Sequence, residues 1–332
     1  MKKINLLLLA VLCSVMLWGC EKEKDEPIID PNPDITEVEL LDDPTFATGF
    51  NLLGVSPVID GRTVYRHLDY DGKAIPSDRE VWYLGQWWTP YDVKNATYEE
   101  KDGNYIYETP SRKIEVNPSN NGYYRVDLLG SKEYDHPRQG GEPWPHNLIE
   151  QNFTQSVKIG EISRLVLTLD VSINSVVNMM GDAYNPDMHA AQFLWYVTVN
   201  NAVPQDSNPD EVGKPGDFFW FGIPIYDSRF DFINESKHID QGAPGTTNKL
   251  IYSISSRNYI NEKIQFGKIY HIEIDILPYL REAFIYAASN NALVNAKLEN
   301  LVVNYMNLGW ELPGTFDVSS TIQNLSIKAY MK

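Results

Sequence analysis

Past residue 20 the chain has no cysteine; its two, Cys13 and Cys20, both lie at the extreme N-terminus. A disulfide framework, a thiolate zinc site and a cysteine nucleophile are therefore excluded from the body of the protein. Positive charge is scarce as well. Only 28 Lys and Arg stand against 45 Asp and Glu, for a formal net charge of −17. The phosphate-neutralising surface that nucleic-acid binding requires is thus missing. No apolar run reaches the ~20 residues that cross a bilayer as a helix. The chain also lacks an internal repeat and any regular alternation of strand and helix, which argues against a doubly wound parallel sheet. What is present is globular in composition: 43% hydrophobic and 22% charged residues over 332 positions.

The N-terminus begins with Lys2-Lys3, continues as an apolar run from Leu6 to Trp18 and ends in small residues before Cys20, the pattern of a secretory signal over residues 1–19. Leu17-Trp18-Gly19-Cys20 resembles the lipobox of bacterial lipoproteins, with Trp18 an untypical member. That resemblance implies an acylated Cys20 as the membrane anchor. The acidic run Glu21-Lys22-Glu23-Lys24-Asp25-Glu26 resembles the export signal of surface lipoproteins of the Bacteroidota type, which implies an outer-membrane protein exposed on the cell surface. Residues 20–44 are rich in Asp, Glu and Pro and nearly free of aromatics, so they read as a flexible tether.

From residue 45 to 332 short apolar or alternating runs dominate: Tyr123–Leu129, Ile162–Ile173, Ala191–Val199, Phe218–Tyr226, Lys249–Ile254, Ile269–Ile276, Leu301–Trp310 and Thr321–Tyr330. They are rich in Val, Ile and aromatics and bounded by Gly, Pro, Asn and Asp, as strands joined by turns are. One helix is expected over Pro278–Ala288, with Leu280, Phe284 and Ala287 on its apolar face. The expected fold is all-β: a single large two-sheet antiparallel jelly-roll sandwich with one short helix. Gly140-Gly141-Glu142-Pro143-Trp144-Pro145 must be a loop within it.

Sugar chemistry suits the side chains. A pyranose presents hydroxyls that donate and accept together with C–H patches that stack on rings, so its sites combine aromatics with carboxylates, amides and Arg. Trp82 to Tyr91 holds five aromatics in ten positions, more than one strand face buries, which nominates Trp82, Trp87 and Trp88. A second cluster runs through Tyr134, His136 and Arg138 to Glu142, Trp144, His146 and Glu150; a third is Tyr226-Asp227-Ser228-Arg229. In 301–311, Tyr305, Asn307 and Glu311 share the face opposite Met306, Leu308 and Trp310. In 269–276, His271, Glu273 and Asp275 oppose Ile272, Ile274 and Ile276, and line either a polar concave face or an ordinary wet exterior. Asp206-Ser207-Asn208-Pro209-Asp210 has part of a calcium-loop spacing, but Glu211 stands where the sharp turn needs glycine, so no metal and no cofactor are expected.

With these residues in view, the body resembles the concanavalin-like lectin and glucanase jelly rolls. Locally, Tyr305-Met306-Asn307-Leu308-Gly309-Trp310-Glu311 resembles the strand of family-twelve endoglucanases that bears their acid/base, which implies that role for Glu311. The resemblance places their nucleophile four residues before a Trp; in Ala191-Gln192-Phe193-Leu194-Trp195 that position is Ala191. Glycoside hydrolysis needs two carboxylates, so Glu311 would have to pair with Glu150, Glu273 or Asp275. The reading that follows is a surface-anchored lipoprotein that binds a polysaccharide or oligosaccharide, with a hydrolase, then a lyase using Tyr134, His136 and Arg138, as the rival. A third class, an adhesin or structural component with surface protein partners, would use the same aromatics as a dry interface.

Overall fold

The computed structural model describes residues 36–241 and 245–332; the signal segment, Cys20 and the tether up to residue 35 lie outside the described residues. Among the described residues the first strands are β1 (Glu37–Glu39), β2 (Phe50–Leu53), β3 (Val64–Leu68), β4 (Trp82–Gly85), β5 (Thr97–Lys101) and β6 (Asn104–Glu108). Then come β7 (Arg112–Asn117), β8 (Tyr123–Leu129), β9 (His146–Asn152), β10 (Ile162–Asn178), β11 (Gln192–Asn201) and β12 (Phe218–Asp227). The last are β13 (Ser236–Ile239), β14 (Leu250–Ser253), β15 (Tyr270–Asp275), β16 (Leu301–Glu311) and β17 (Phe316–Met331). The α-helices are α1 (Gly130–Glu133), α2 (Pro209–Val212) and α3 (Leu277–Ser289). None of them is long and apolar enough to cross a membrane.

Two sheets form a jelly-roll sandwich. One runs β15-β10-β17-β8-β7-β6-β5, with β1 also paired to β17; the other runs β13-β14-β12-β11-β16-β9-β4-β2-β3. Pairing is antiparallel except for β2 with β4 and β12 with β14. Both exceptions have one cause: an edge strand, β3 or β13, intervenes in the chain and reverses its direction before the next strand is laid down.

Alternation sets the two faces. In β8, Tyr124, Val126 and Leu128 are buried while their neighbours are half-exposed, and in β16 Met306, Leu308 and Trp310 enter the core. Trp82, Trp195 and Trp310 are sealed between the sheets with Phe46, Phe50, Phe219 and Phe221. Trp82, expected as a ligand platform, is instead core: in Trp82-Tyr83-Leu84-Gly85 strand parity sends Trp82 and Leu84 inward, and the indole N–H donates to Asp43 O at 2.6 Å. The helix α3 starts one residue earlier than expected, carries its proline in the first turn and buries Leu277, Leu280, Ala283 and Ala287 against β10 and β12. Phe284 is half-buried at its margin.

The boundary between tether and body also moves. β1 pairs with the end of β17. Leu40 and Leu41 join the core, and the Asp43 carboxylate accepts from the Thr48 amide (2.7 Å) and hydroxyl (2.8 Å). Residues 37–44 therefore belong to the sandwich. Their charge and proline content hid three anchoring side chains.

Candidate functional site

Residues directly opposite each other on neighbouring strands project to the same face. On the outer face of the nine-stranded sheet the register aligns Asp227 of β12, Gln192 of β11, Glu311 of β16 and His146 of β9 in one row. The next row is nearly flat, with Leu194, Gly309, Leu148 and Gly85. A third holds Gly222, Tyr196, Asn307, Glu150 and Tyr83. Sequence patterning foresaw that Asn307 and Glu311 share this face; only pairing reveals that Gln192, Asp227 and His146 stand abreast of Glu311.

The first row has a definite electrostatic pattern. The Glu311 carboxylate lies 3.4 Å from His146 Nε2 and accepts from the Trp144 indole N–H at 3.4 Å. Burial pushes its pKa up, but the His146 imidazole and the Trp144 N–H outweigh it and hold the group below its ordinary 4.5. His146 Nδ1 is buried without a hydrogen-bond partner in the protein. Trp144 stacks on His146 with centroids 5.9 Å apart, and the Arg138 guanidinium lies 5.0 Å over the indole. Arg138 is itself fixed, donating to Glu142 O at 3.1 and 2.6 Å. His189 Nδ1 accepts from the Asn185 amide (3.0 Å), so its Nε2 carries the hydrogen donated to Arg138 O (2.8 Å).

At the other end of the row Asp227 is buried and fully engaged. Its Oδ1 accepts from Arg229 N (3.0 Å) and Nε (2.8 Å), and its Oδ2 from Arg229 Nη2 (2.6 Å) and Gln192 Nε2 (2.8 Å). The position four residues before Trp195 shares that residue's inward parity. Ala191 is fully buried, and the residue beside Glu311 is Gln192. Neither is a carboxylate.

Glu150 does not pair with Glu311. Glu150 is in register with Asn307, whereas Glu311 faces His146; four strand residues separate the levels, roughly 13 Å. Glu150 instead accepts from Arg62 at 2.7 Å and from the Tyr305 hydroxyl. Arg62 lies over Tyr83 at 4.7 Å and Tyr305 at 5.7 Å. Glu273 and Asp275 are on β15, the edge of the opposite sheet, and their neighbour His271 pairs with Asp170 on its solvent side. They form the ordinary wet exterior.

Several features of this face carry no sequence signal. The β2–β3 loop folds back across it through Arg62, and a Cβ built on Gly245 in the β13–β14 loop would stand 3.3 Å from Pro57 Cγ. The β13–β14 loop is fixed in turn to Trp220, whose N–H donates to Thr247 Oγ1 at 3.0 Å. Beneath the two loops Trp220 meets Tyr196, Phe218 and Tyr305 edge-on at 5.7–6.1 Å. The first row lies outside these loop contacts, where the His146 and Glu311 side chains keep 13% and 23% exposure. Trp87 leans over Gly85, where a side chain would meet the indole Nε1 at 3.0 Å, so it lies on this face. Trp88 is half-buried in the loop beside it, its amide donating to Val55 O at 2.6 Å.

Other nominated groups are structural. Tyr134, His136 and Arg138 do not share a face: the Tyr134 hydroxyl donates to Pro143 O (3.2 Å) and Leu312 O (3.3 Å), His136 is exposed between Asp135 and Glu142, and Arg138 is buried. In the calcium-like segment Asn208 caps α2 through the Asp210 amide (3.1 Å) and Asp217 pairs with Lys249 (2.5 Å). No cluster of three or more potential metal ligands occurs among the described residues.

No family model and no curated protein matches the chain. Among solved structures it is similar to endoglucanase Cel12A from Rhodothermus marinus, at 9% identity and TM-score 0.36 over 70% of this chain and 95% of that one. A family 12 xyloglucanase from Bacillus licheniformis in complex with ligand gives 10% identity and TM-score 0.36, over 71% and 97%. Endoglucanase 3 of family GH12 from Trichoderma harzianum gives 12% and 0.36, over 77% and 100%.

Proposed function

We propose that the protein is a glycan-binding lipoprotein: Cys20 tethers it to the outer membrane, and the outer face of its nine-stranded sheet captures a polysaccharide or oligosaccharide at the cell surface. The observation that carries this reading is the row Asp227–Gln192–Glu311–His146, flanked by Trp144. It offers amide, carboxylate and imidazole groups beside an indole, the complement of sugar hydroxyls and C–H faces. Glu311, held in its ionised form, is an acceptor and a poor proton donor at neutral pH. Asp227 has its oxygens filled by Arg229 and Gln192 and cannot readily activate a water. Capture without cleavage follows.

Glycan cleavage is the second reading, and one observation favours it. Asp227 and Glu311 bracket Gln192, so their backbones lie two strand spacings, ~10 Å, apart. Side chains leaning inward from that distance approach the ~6.5–9.5 Å separation of an inverting pair. An oligosaccharide array followed by product analysis separates the two. The binding reading expects retention of a glycan with no new reducing ends, and loss of retention in Glu311→Gln and Trp144→Ala. Reducing-end release abolished by Glu311→Gln would establish the hydrolase; retention of no glycan, with capture of a surface protein instead, would establish the adhesin.

A further inference from the structure

Beyond Asp227 the chain leaves β12 through Ser228, Arg229 and Phe230, and segment 256–266 runs opposite; between them opens a cavity of ≈ 410 Å³. It begins where the first row ends, since Asp227 lines it. Ile225, Ile260 and Ile264 form a buried floor. Phe230 and Phe266 stand at the mouth, 50% and 53% exposed, the only phenylalanines among the large apolar side chains open to solvent in the described residues. Tyr226 meets Phe266 edge-on at 6.1 Å, and the Arg229 guanidinium holds the Phe230 ring from 5.3 Å. Leaving two phenylalanine rings in water at one opening is costly unless something covers them.

Several polar atoms around the cavity are held by neighbouring side chains or backbone. Asp227 is filled by Arg229 and Gln192. Ser256 Oγ accepts from the Ile233 amide at 2.9 Å and Ser228 Oγ from the Ala191 amide at 2.9 Å. Lys263 pairs with Asp231 at 2.6 Å on the outside. A ligand entering here meets the Ile floor and the two Phe rings, with the Ser228 and Ser256 hydroxyls and the Arg229 guanidinium also on the lining, a mixed wall that suits a ring carrying a neutral polar substituent. Benzene fits a cavity of about 150 Å³, and ≈ 410 Å³ accommodates a ring with its linker. We infer that this cavity takes an uncharged aryl group joined to the sugar held at Gln192 and Glu311, an aromatic aglycone or an aromatic ester of the glycan. The inference rests on the glycan reading above and adds the class of substituent.

Calorimetry with matched methyl and 4-nitrophenyl β-disaccharides built on glucose, galactose, mannose and xylose tests it. For a disaccharide that binds, the aryl glycoside is expected to bind about tenfold more tightly than the methyl one, ~1.4 kcal/mol. The exposed pair Phe230→Ala and Phe266→Ala should erase that gain and leave the methyl glycoside unchanged. Equal affinities for aryl and methyl glycosides, or a gain that survives loss of both rings, overturn the aryl site and leave the glycan reading standing. Binding of neither glycoside in the whole panel overturns both.

Discussion

Glu311 is a single carboxylate whose behaviour is set by burial and two neighbours. Burial opposes its ionisation, His146 and Trp144 favour it, and the latter two win. A group held below its ordinary 4.5 contributes stability that is fully present above that value and is lost as pH falls through the lower folded one. The stability difference between the native chain and Glu311→Gln, measured by urea unfolding, should therefore shrink from pH 7 to pH 3. His146→Gln removes the largest favourable influence, and a carboxyl-carbon NMR titration should then find Glu311 displaced upward. Gln192→Glu places a like charge abreast of it and should raise it too; an unmoved titration in both variants would show that the row is not electrically coupled. Trp82 and Trp144 differ in the same way at the level of packing. Trp82→Ala empties a sealed site and should cost ~3–5 kcal/mol, whereas Trp144→Ala should cost little stability and weaken glycan retention.

Among the elements, β1 and the turn after it contribute more than their length suggests. Each of Leu40 and Leu41 buries a side chain worth ~1.5–3 kcal/mol, and Asp43 ties the turn to Thr48 and Trp82. A chain starting at residue 36 should unfold at the same urea concentration as one starting at residue 21, and one starting at residue 45 at a distinctly lower one. Strands such as β8, β15 and β16 were legible because each buries one face, so period two is imprinted on its residues. β2, β3, β13 and the ends of β17 were not, because they are short or take their partners from distant parts of the chain.

For the whole molecule, the two sheets are joined at one end by a buried ion pair. Arg112 of β7, in one sheet, donates to Glu133 at 3.4 Å, and the same carboxylate accepts from Thr89 Oγ1 (2.9 Å) in the segment leaving β4 of the other. Burial lowers the Arg112 pKa, a sign of how poorly the site tolerates an unpaired charge. Glu133→Ala strands the guanidinium and should destabilise by ~3–5 kcal/mol, seen as a drop in the urea midpoint. Replacing both partners by apolar residues should recover much of that loss.

Composition and periodicity by themselves determined the class of fold, a helix over 278–288, the inward set Met306, Leu308 and Trp310 and the outward set Asn307 and Glu311, because burial of one face acts within a few residues along the chain. Which residues stand abreast of Glu311, that Glu150 is two rows distant, that Gln192 rather than Ala191 faces the row, and that Arg62 and Pro57 reach across the sheet were decided by strand order and register. Those depend on contacts between segments 35 to more than a hundred residues apart, and no local pattern encodes them.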